Sequence, residues 1–508
     1  LDKARYADSD GYEKDKPRPN AWRYRDWVID AVNNDLPFDQ FTIQQLAGDL
    51  LPDASPMQKL ATAFHRQTLT NTEGGTDKEE FRVEATFDRT ETTASVWMGL
   101  TMTCARCHSH KYDQITQTEY YELFAFFNNA NEANVEVPGS AAKPAKLKVR
   151  VIAPASRKTR VLHRGDFLQP ADEVGCNVLA VIRGVHPLES QHEESPADRL
   201  DLARWLVDAD HPLTHRVIVN QVWAHLFGQG IVATLNDFGV RGERPTHPEL
   251  LDWLAWQFPR EMGFSRKALI KTIVTSAVYR QSSSHRPELG EIDPNNRLLA
   301  RQNRLRVEAE IVRDLFLSVS GLLSMKMGGP SVFPPLPPGV TELSYANNFK
   351  WATSKGEDRY RRGMYTFFKR TSPHPNLISF DCPDSNTTRL ERESSNTPLQ
   401  ALITLNNGVF VEAAQAMARR VLAEGGDDDT GRLTYALRLC IARPPDKKEV
   451  NRFRELLRTA REYYEAYPEV AAKLTKQHPV SDMAAPENAA WVATLRMVMN
   501  LDEFIVRD

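Results

Sequence analysis

Cys104-Ala105-Arg106-Cys107-His108 is the string in this chain whose residue types and spacing prescribe a chemistry. In C-x-x-C-H, two thiols add across the vinyl groups of a porphyrin, and the histidine ligates its iron from one face. A single helical turn sets both sulfurs at one porphyrin edge and brings the imidazole under the metal. With 5 cysteines and 13 histidines in 508 residues, chance yields such a string in roughly one chain in a thousand. The spacing therefore predicts one covalently attached haem c, anchored by Cys104 and Cys107, with His108 as proximal ligand to the iron. It also predicts a location outside the bacterial cytoplasm, periplasmic or secreted.

Two other readings use the same residues. A structural zinc site would take Cys104, Cys107 and His108 or His110, although zinc usually draws a second ligand pair from a distant segment, and no second C-x-x-C exists. A thiol–disulfide redox pair would need a strand leading into a helix, whereas a long helical pattern leads in here. Close to the motif, Arg106, His110 and Tyr112 are the candidates for contacts with a substrate or a haem propionate, and Asp113 reads as structural. The sixth iron ligand is open. Met98 and Met102 fit core packing, and His65, His225 and His247 fit satisfied interior or surface histidines. Asp8-Ser9-Asp10-Gly11-Tyr12-Glu13 faintly resembles a calcium loop but lacks the full ligand series, so loop or cap chemistry explains it better. No H-E-x-x-H, G-x-S-x-G, Walker loop or G-x-G-x-x-G occurs, and Asp237-Phe238-Gly239 has no kinase catalytic-loop partner.

The elements that must position this motif read as mostly helical. Residues 1–135 form a helical region bearing the C-x-x-C-H string, with helices over 22–33, from 38 to 51, from Ser55, and over 120–127. A capping box at Thr76-Asp77-Lys78-Glu79 starts the long helix that leads to Thr103. Residues 136–195 read as a linker with short strands, among them Lys148-Val149-Arg150-Val151-Ile152 and Thr159-Arg160-Val161-Leu162, after a connector around Lys143-Pro144. Residues 196–508 read as a larger helical domain, with helices over 198–207, 217–227, 248–258, 267–279 and 304–323. An irregular stretch at 328–348 interrupts it, and a long helix from Thr397-Pro398 and three more follow.

Composition bounds the rest. At roughly 100–200 residues per domain, 508 residues hold two or three domains. The 41% apolar and 26% charged content is that of a globular chain. A net charge of −3 argues against a nucleic-acid binder, and short basic clusters such as Arg359-Tyr360-Arg361-Arg362 read as solvated surface. No apolar run of about 18 residues predicts a membrane span. Cys176, Cys382 and Cys440 are isolated and read as buried small hydrophobes. Leu1 opens the chain without a basic-then-apolar leader, so either a leader has been removed or the chain begins within a longer one.

The sequence resembles the planctomycete cytochrome c-associated proteins whose two regions form the 1549 and 1553 families of unknown function. The first region is carried by Ala7-Asp8-Ser9-Asp10-Gly11-Tyr12-Glu13, Gln45-Leu46-Ala47-Gly48-Asp49, Glu73-Gly74-Gly75-Thr76 and the run from Cys104 through Asp113. The second is carried by Asn220-Gln221-Val222-Trp223, Asp237-Phe238-Gly239, Pro245-Thr246-His247-Pro248-Glu249-Leu250-Leu251 and Asn396-Thr397-Pro398-Leu399-Gln400-Ala401-Leu402. The resemblance implies haem and export, in bacteria rich in polysaccharide-degrading genes; it supplies no reaction. A cytochrome c domain often precedes this region in such proteins, and the segment between Asn134 and Thr159 is short by comparison.

The expectation is an exported c-type haem oxidoreductase acting on a carbohydrate or another small molecule, with a redox partner protein. Its haem would sit where the two helical regions meet. One alternative is an electron-transfer haem protein with no substrate of its own. Another is a non-haem, zinc-stabilised module that binds a glycan or a protein.

Overall fold

The computed structural model describes residues 1–139, 145–190, 196–337, 349–481 and 483–507. The Lys143-Pro144 connector and the end of the 328–348 stretch lie outside them. Helices account for 49% of the chain, and the strands are few and short, so the mainly α reading holds. No helix among the described residues is long and apolar enough to cross a membrane.

Helical periodicity and caps set most element starts. α1 is Trp22–Asn33, and α2 is Phe38–Ala47, ending short of the expected Leu51. α3 (Pro56–Ala61) opens on a Ser55–Gln58 capping box with proline at its first position. α4 (Lys78–Thr93) is capped by Asp77 alone, while Thr76 turns back to the Glu73 carbonyl. Beyond α4 the chain makes a π turn, Ala94–Met98, and stops at Gly99, so the lead-in helix does not reach Thr103. α5 (Gln117–Asn128) begins with a Thr116–Glu119 capping box.

β1 (Ala130–Val137) corrects the helical reading of residues up to 135. It pairs antiparallel with β2 (Leu147–Pro154), from Ala130 opposite Pro154 to Val137 opposite Leu147. Its own sequence carries few β-branched residues. What holds it is the partner strand, together with ion pairs from Arg66 and Arg89 to Glu132. β3 (Thr159–Leu162) forms a separate hairpin with β4 (Pro170–Val174), and α6 is a single turn, Ala180–Arg183.

α7 (Arg199–Val207), α8 (Thr214–Phe227) and α9 (Pro248–Arg260) follow close to expectation, and α10 (Arg266–Val274) ends five residues short of the expected Tyr279. The helix expected over 304–323 is shorter. β5 (Leu305–Arg306) takes its first residues by pairing with β6 (Val506–Arg507), and α11 covers Ala309–Val319. α12 is Pro375–Ser379. The long helix expected from Thr397 is two, α13 (Pro398–Asn406) and α14 (Gly408–Glu424), because Asn407 ends one and its side chain caps the next. α15 (Asp429–Ile441), α16 (Lys447–Ala466), α17 (Pro468–Leu474) and α18 (Ala485–Val498) come after these, so among the described residues four helices rather than three follow that pair.

Two hydrophobic cores form. One gathers side chains from Ala4 to Ile273, and so unites the N-terminal helices, the hairpins and α7–α10. The other runs from Ala309 to Ile505 and takes in Ala7. A buried polar seam joins them. The Phe368 N–H donates to Asp8 and the Asp8 N–H to the Phe368 carbonyl, both at 2.9 Å. Arg370 donates to the carbonyls of Arg5, Asp10, Gln67 and Thr68. Lys369 and Thr371 reach Asp15, and Arg18 pairs with Asp10 at 2.6 Å. Asp8 and Asp10 of the calcium-like string are therefore buried acceptors already taken by cations, hydroxyls and backbone donors, and Glu13 is exposed.

The basic cluster at 359–362 is not solvated surface either. Arg361 is buried, with its guanidinium 3.8 Å from the Tyr365 ring centroid, and Arg359 pairs with Glu412 at 2.7 Å. Among the isolated cysteines only Cys440 is fully buried, and Cys176 and Cys382 are partly covered. Burial pushes the Cys176 and Cys440 thiols up to about 12.

Buried histidines give the fold an acid limit. Burial lowers His211 to about 3 and His374 to about 4, and it also lowers His65 and His215. An unfolded histidine titrates near pH 6.5. Between that pH and the folded values, the unfolded chain binds protons that the native one refuses. Stability is therefore fully present above about pH 6.5 and falls as the pH drops towards about 3. The urea midpoint should fall between pH 7 and pH 4, by an amount on the order of several kcal/mol in unfolding free energy. His211→Gln, which cannot take up a proton there, should flatten part of that slope.

Candidate functional site at the C-x-x-C-H turn

Gly99 delivers the chain from the π turn into the motif. Its φ of 63° suits glycine, and a Cβ there would meet Phe238 Cδ2 at 2.8 Å and Val217 Cγ2 at 3.0 Å. The Phe238 N–H donates to the Gly99 carbonyl at 2.8 Å. The motif itself is a short 3-10 turn, Thr103–Arg106, rather than an α-helical turn. Met102 and Ala105 are buried and peg it into the core, which leaves Cys104, Cys107 and His108 facing solvent.

Six side chains of α4 and α5 fix the turn from below: Glu84, Phe87, Glu91, Gln117, Tyr120 and Tyr121. The Arg106 guanidinium lies over Phe87, 3.8 Å from its centroid, and donates twice to Glu84. The Arg106 carbonyl accepts from Gln117 Nε2 at 3.1 Å and from the Tyr121 hydroxyl at 3.0 Å. Glu91 accepts from Thr103 at 3.0 Å and Tyr120 at 2.9 Å, and burial raises its carboxyl above the usual range. These partners sit on α4 and α5, whose helical spacing aims them at one spot.

A hairpin tip closes one side. A Cβ on Gly165, in the β3–β4 loop, would approach Cys107 Sγ at 3.1 Å, and Arg164 and Gly165 are both left-handed. Gln117 Nε2 also reaches the Leu162 carbonyl at 3.1 Å and so ties this loop to the turn. His163 stands exposed at its start.

The loop after the motif is clamped from the C-terminal side. The Asp113 N–H donates to His110 Nδ1 at 2.9 Å, and the Asp113 carboxylate accepts the Val240 N–H at 2.6 Å. Gly239 leaves room for this, since a Cβ there would lie 2.8 Å from Asp113 Oδ2 and closer still to Oδ1. Asp237 Oδ1 takes the Gly239 N–H at 3.0 Å. Asp237-Phe238-Gly239 is thus the latch that holds the motif against the second region.

The sequence-derived candidates therefore separate. Cys104, Cys107 and His108 come together on one exposed turn. His110 is turned inward to Asp113, and Arg106 is occupied by Glu84 and Phe87. Tyr112 is half-exposed, between Lys111 and Arg241, whose charges lie 5.2 and 5.4 Å from its ring. Met98, Met102 and His65 are buried, His65 against the Leu46 carbonyl. His225 lies 3.8 Å from Glu308, and His247 contacts Thr246. Sequence reasoning missed His163, Glu84, Glu91 and the latch; the only signal was the glycine of the discarded tripeptide.

The donor set fits a covalent haem. Both thiols are free and exposed. His108 Nδ1 lies 2.8 Å from the Ser109 carbonyl, which places the proton on Nδ1 and leaves the Nε2 lone pair for a metal. A zinc cage fits less well: among the described residues no three His, Cys, Asp or Glu side chains converge to hold a metal. The cavity of about 520 Å3 bordered by Tyr279, Arg280 and Gln302 could admit a small substrate, but no motif residue lines it.

A mainly helical chain with a solvent-facing C-x-x-C-H turn latched to a second helical region defines the class. Residues 198–457 match the model of PSD1, a protein of unknown function (DUF1553), and the chain belongs to that family. Residues 1–132 match PSCyt2, a protein of unknown function (DUF1549). No curated protein and no solved structure matches.

Gly239→Ala should push Asp113 off Val240 and cost about 1–3 kcal/mol. Chemical denaturation measures the loss, and amide exchange at residues 110–115 should rise before any global change. Unchanged exchange there would show that the latch does not hold the loop.

Proposed function

We propose that the protein is an exported redox protein carrying one haem c, joined through Cys104 and Cys107 with His108 on the iron. The observation that carries this is the pairing of two exposed thiols with an imidazole whose Nδ1 is engaged by the Ser109 carbonyl. The haem, when bound, supplies one-electron chemistry. The chain's own residues do the rest. Ala105 and Met102 anchor the turn, Arg106 and Glu84 stiffen its base, and the Asp113–Val240 bond fixes its exit.

Of the two uses of such a centre, electron exchange with a partner protein has the better support. Thiols that face solvent leave a porphyrin edge accessible to a partner, whereas oxidation of a carbohydrate calls for a site that excludes water around the reacting atoms. The substrate-sized cavity borders α10, not the motif.

Protein produced with a c-type maturation system should give a c-type pyridine haemochrome band that stays with the denatured polypeptide. Cys104→Ser with Cys107→Ser should abolish it. His108→Ala should keep some covalent haem and change the native spectrum. Competently matured wild type without the band would falsify the haem reading.

A further inference from the structure

Away from the cysteine turn, a cavity of about 210 Å3 opens between β2, the start of α1 and the 3-10 turn Thr62–Arg66. Arg18, Arg66, Lys148 and Arg150 line it, with Asn20 and Asn134 beside them, and none of its lining residues is acidic. The neighbouring carboxylates do not balance these charges. Arg18 and Arg150 share the single Asp10 carboxylate, at 2.6 and 2.5 Å, and Arg66 pairs with Glu132 at 2.8 Å. Three guanidinium groups thus share two carboxylates, and among the described residues the ammonium of Lys148 forms no ion pair, although Glu136 stands opposite it in the β1–β2 register.

The excess is felt deeper in the protein. Arg370, behind Arg18, is lowered to about 9 by burial and then by the charges of Arg18 and Arg5. Arg66 is lowered to about 10 by burial, against the pull of Glu132, with Arg89, Arg150 and Arg18 adding to the shift. Like charges held this close in a half-enclosed space repel by an amount that an anion removes. The cations are also held in advance. Arg18 is tied to the Arg66 and Thr68 carbonyls and to Thr70, so little ordering of that guanidinium remains to be done on binding, while the exposed Lys148 ammonium is free to close on a ligand.

We propose that this cavity binds a compact oxyanion, a phosphate, sulfate or carboxylate, either free or as the terminal group of a larger molecule. Its size sets that class. Sites for drug-sized ligands run to roughly 300–1,000 Å3, and this one holds a charged group of a few heavy atoms. The lining cations supply charge-assisted hydrogen bonds, and the two asparagine amides can accept from a hydroxyl on the ligand or donate to its oxygens. The site does not depend on the haem reading, since none of its residues touches the cysteine turn.

Titration calorimetry of the full chain at low ionic strength tests it with inorganic phosphate, inorganic sulfate, acetate and glycerol phosphate. The expected result is one saturable site with Kd of about 0.1–1 mM for at least one of them. Glycerol phosphate binding as tightly as inorganic phosphate would mark a terminal-group site; inorganic ions binding alone would mark a free-anion site. Lys148→Glu and Asn134→Asp should each weaken binding at least tenfold. Lys158→Glu, the same charge change at a lysine outside the cavity, should leave it within about twofold. No saturable heat up to about 20 mM of any probe would overturn the proposal. So would equal weakening in Lys148→Glu and Lys158→Glu, since general surface charge would then explain the effect.

Discussion

A guanidinium taken out of water keeps its charge and must find its acceptors inside the protein, because leaving them unmet costs several kcal/mol. Arg370 meets this demand at both terminal nitrogens, with four carbonyls drawn from three places: Arg5, Asp10, and the consecutive Gln67 and Thr68; its Nε is left without a partner among the described residues. Its satisfaction fixes the course of the first eighteen residues, the turn after α3 and the strip around Phe368 at the same time. Asp8 and Asp15 then find donors along the same strip, while the Asp10 carboxylate takes Arg18 and Arg150. Much else in the fold hangs from this: the first core closes over the seam on one side, and Ala7 reaches into the second core on the other.

The cysteine turn follows the same rule on a smaller scale. Arg106 is half-buried, and its charge is met by Glu84 while its plane rests on Phe87. Asp113 is buried, and its carboxylate is met by a backbone N–H from a segment 127 residues further on. Polar groups that must be satisfied locate the turn from two directions. The three side chains that need no partner within the protein, Cys104, Cys107 and His108 Nε2, are left facing out.

What the sequence reveals and what it hides divide along the length scale of the forces. The Ser55 capping box, the Thr397 N-cap and the apolar spacing of α1, α8 and α9 are local, and each predicts its helix start within a few residues, whereas the box read at Thr76 gives way to an Asp77 cap one residue on. The C-x-x-C-H string is local as well. β1 was not legible because Asn131-Glu132-Ala133-Asn134 carries no strand preference of its own; only β2 and the arginines that reach Glu132 make it a strand. Arg361 reads as surface because nothing nearby in sequence announces Tyr365 or the Gly328 carbonyl as its partners. The Asp113–Gly239 contact was equally hidden, since a glycine chosen for lack of a side chain looks the same as a glycine in any turn.

The seam has a consequence in time. A ribosome delivers residues 5–18 hundreds of residues before residues 366–371, so the earlier segment waits long for these partners. Until residues 366–371 arrive, Asp8 lacks the Phe368 N–H, Asp15 lacks Lys369 and Thr371, and the Arg5 and Gln67 carbonyls lack Arg370. Contacts of such long sequence separation are slow to form. The Cys104–His108 turn emerges well inside that interval, before Val240 can latch its exit loop. The chain's connectivity therefore opens a period, set by elongation rate and length, in which two thiols are presented on an unfinished scaffold and any enzyme that modifies them has unhindered access.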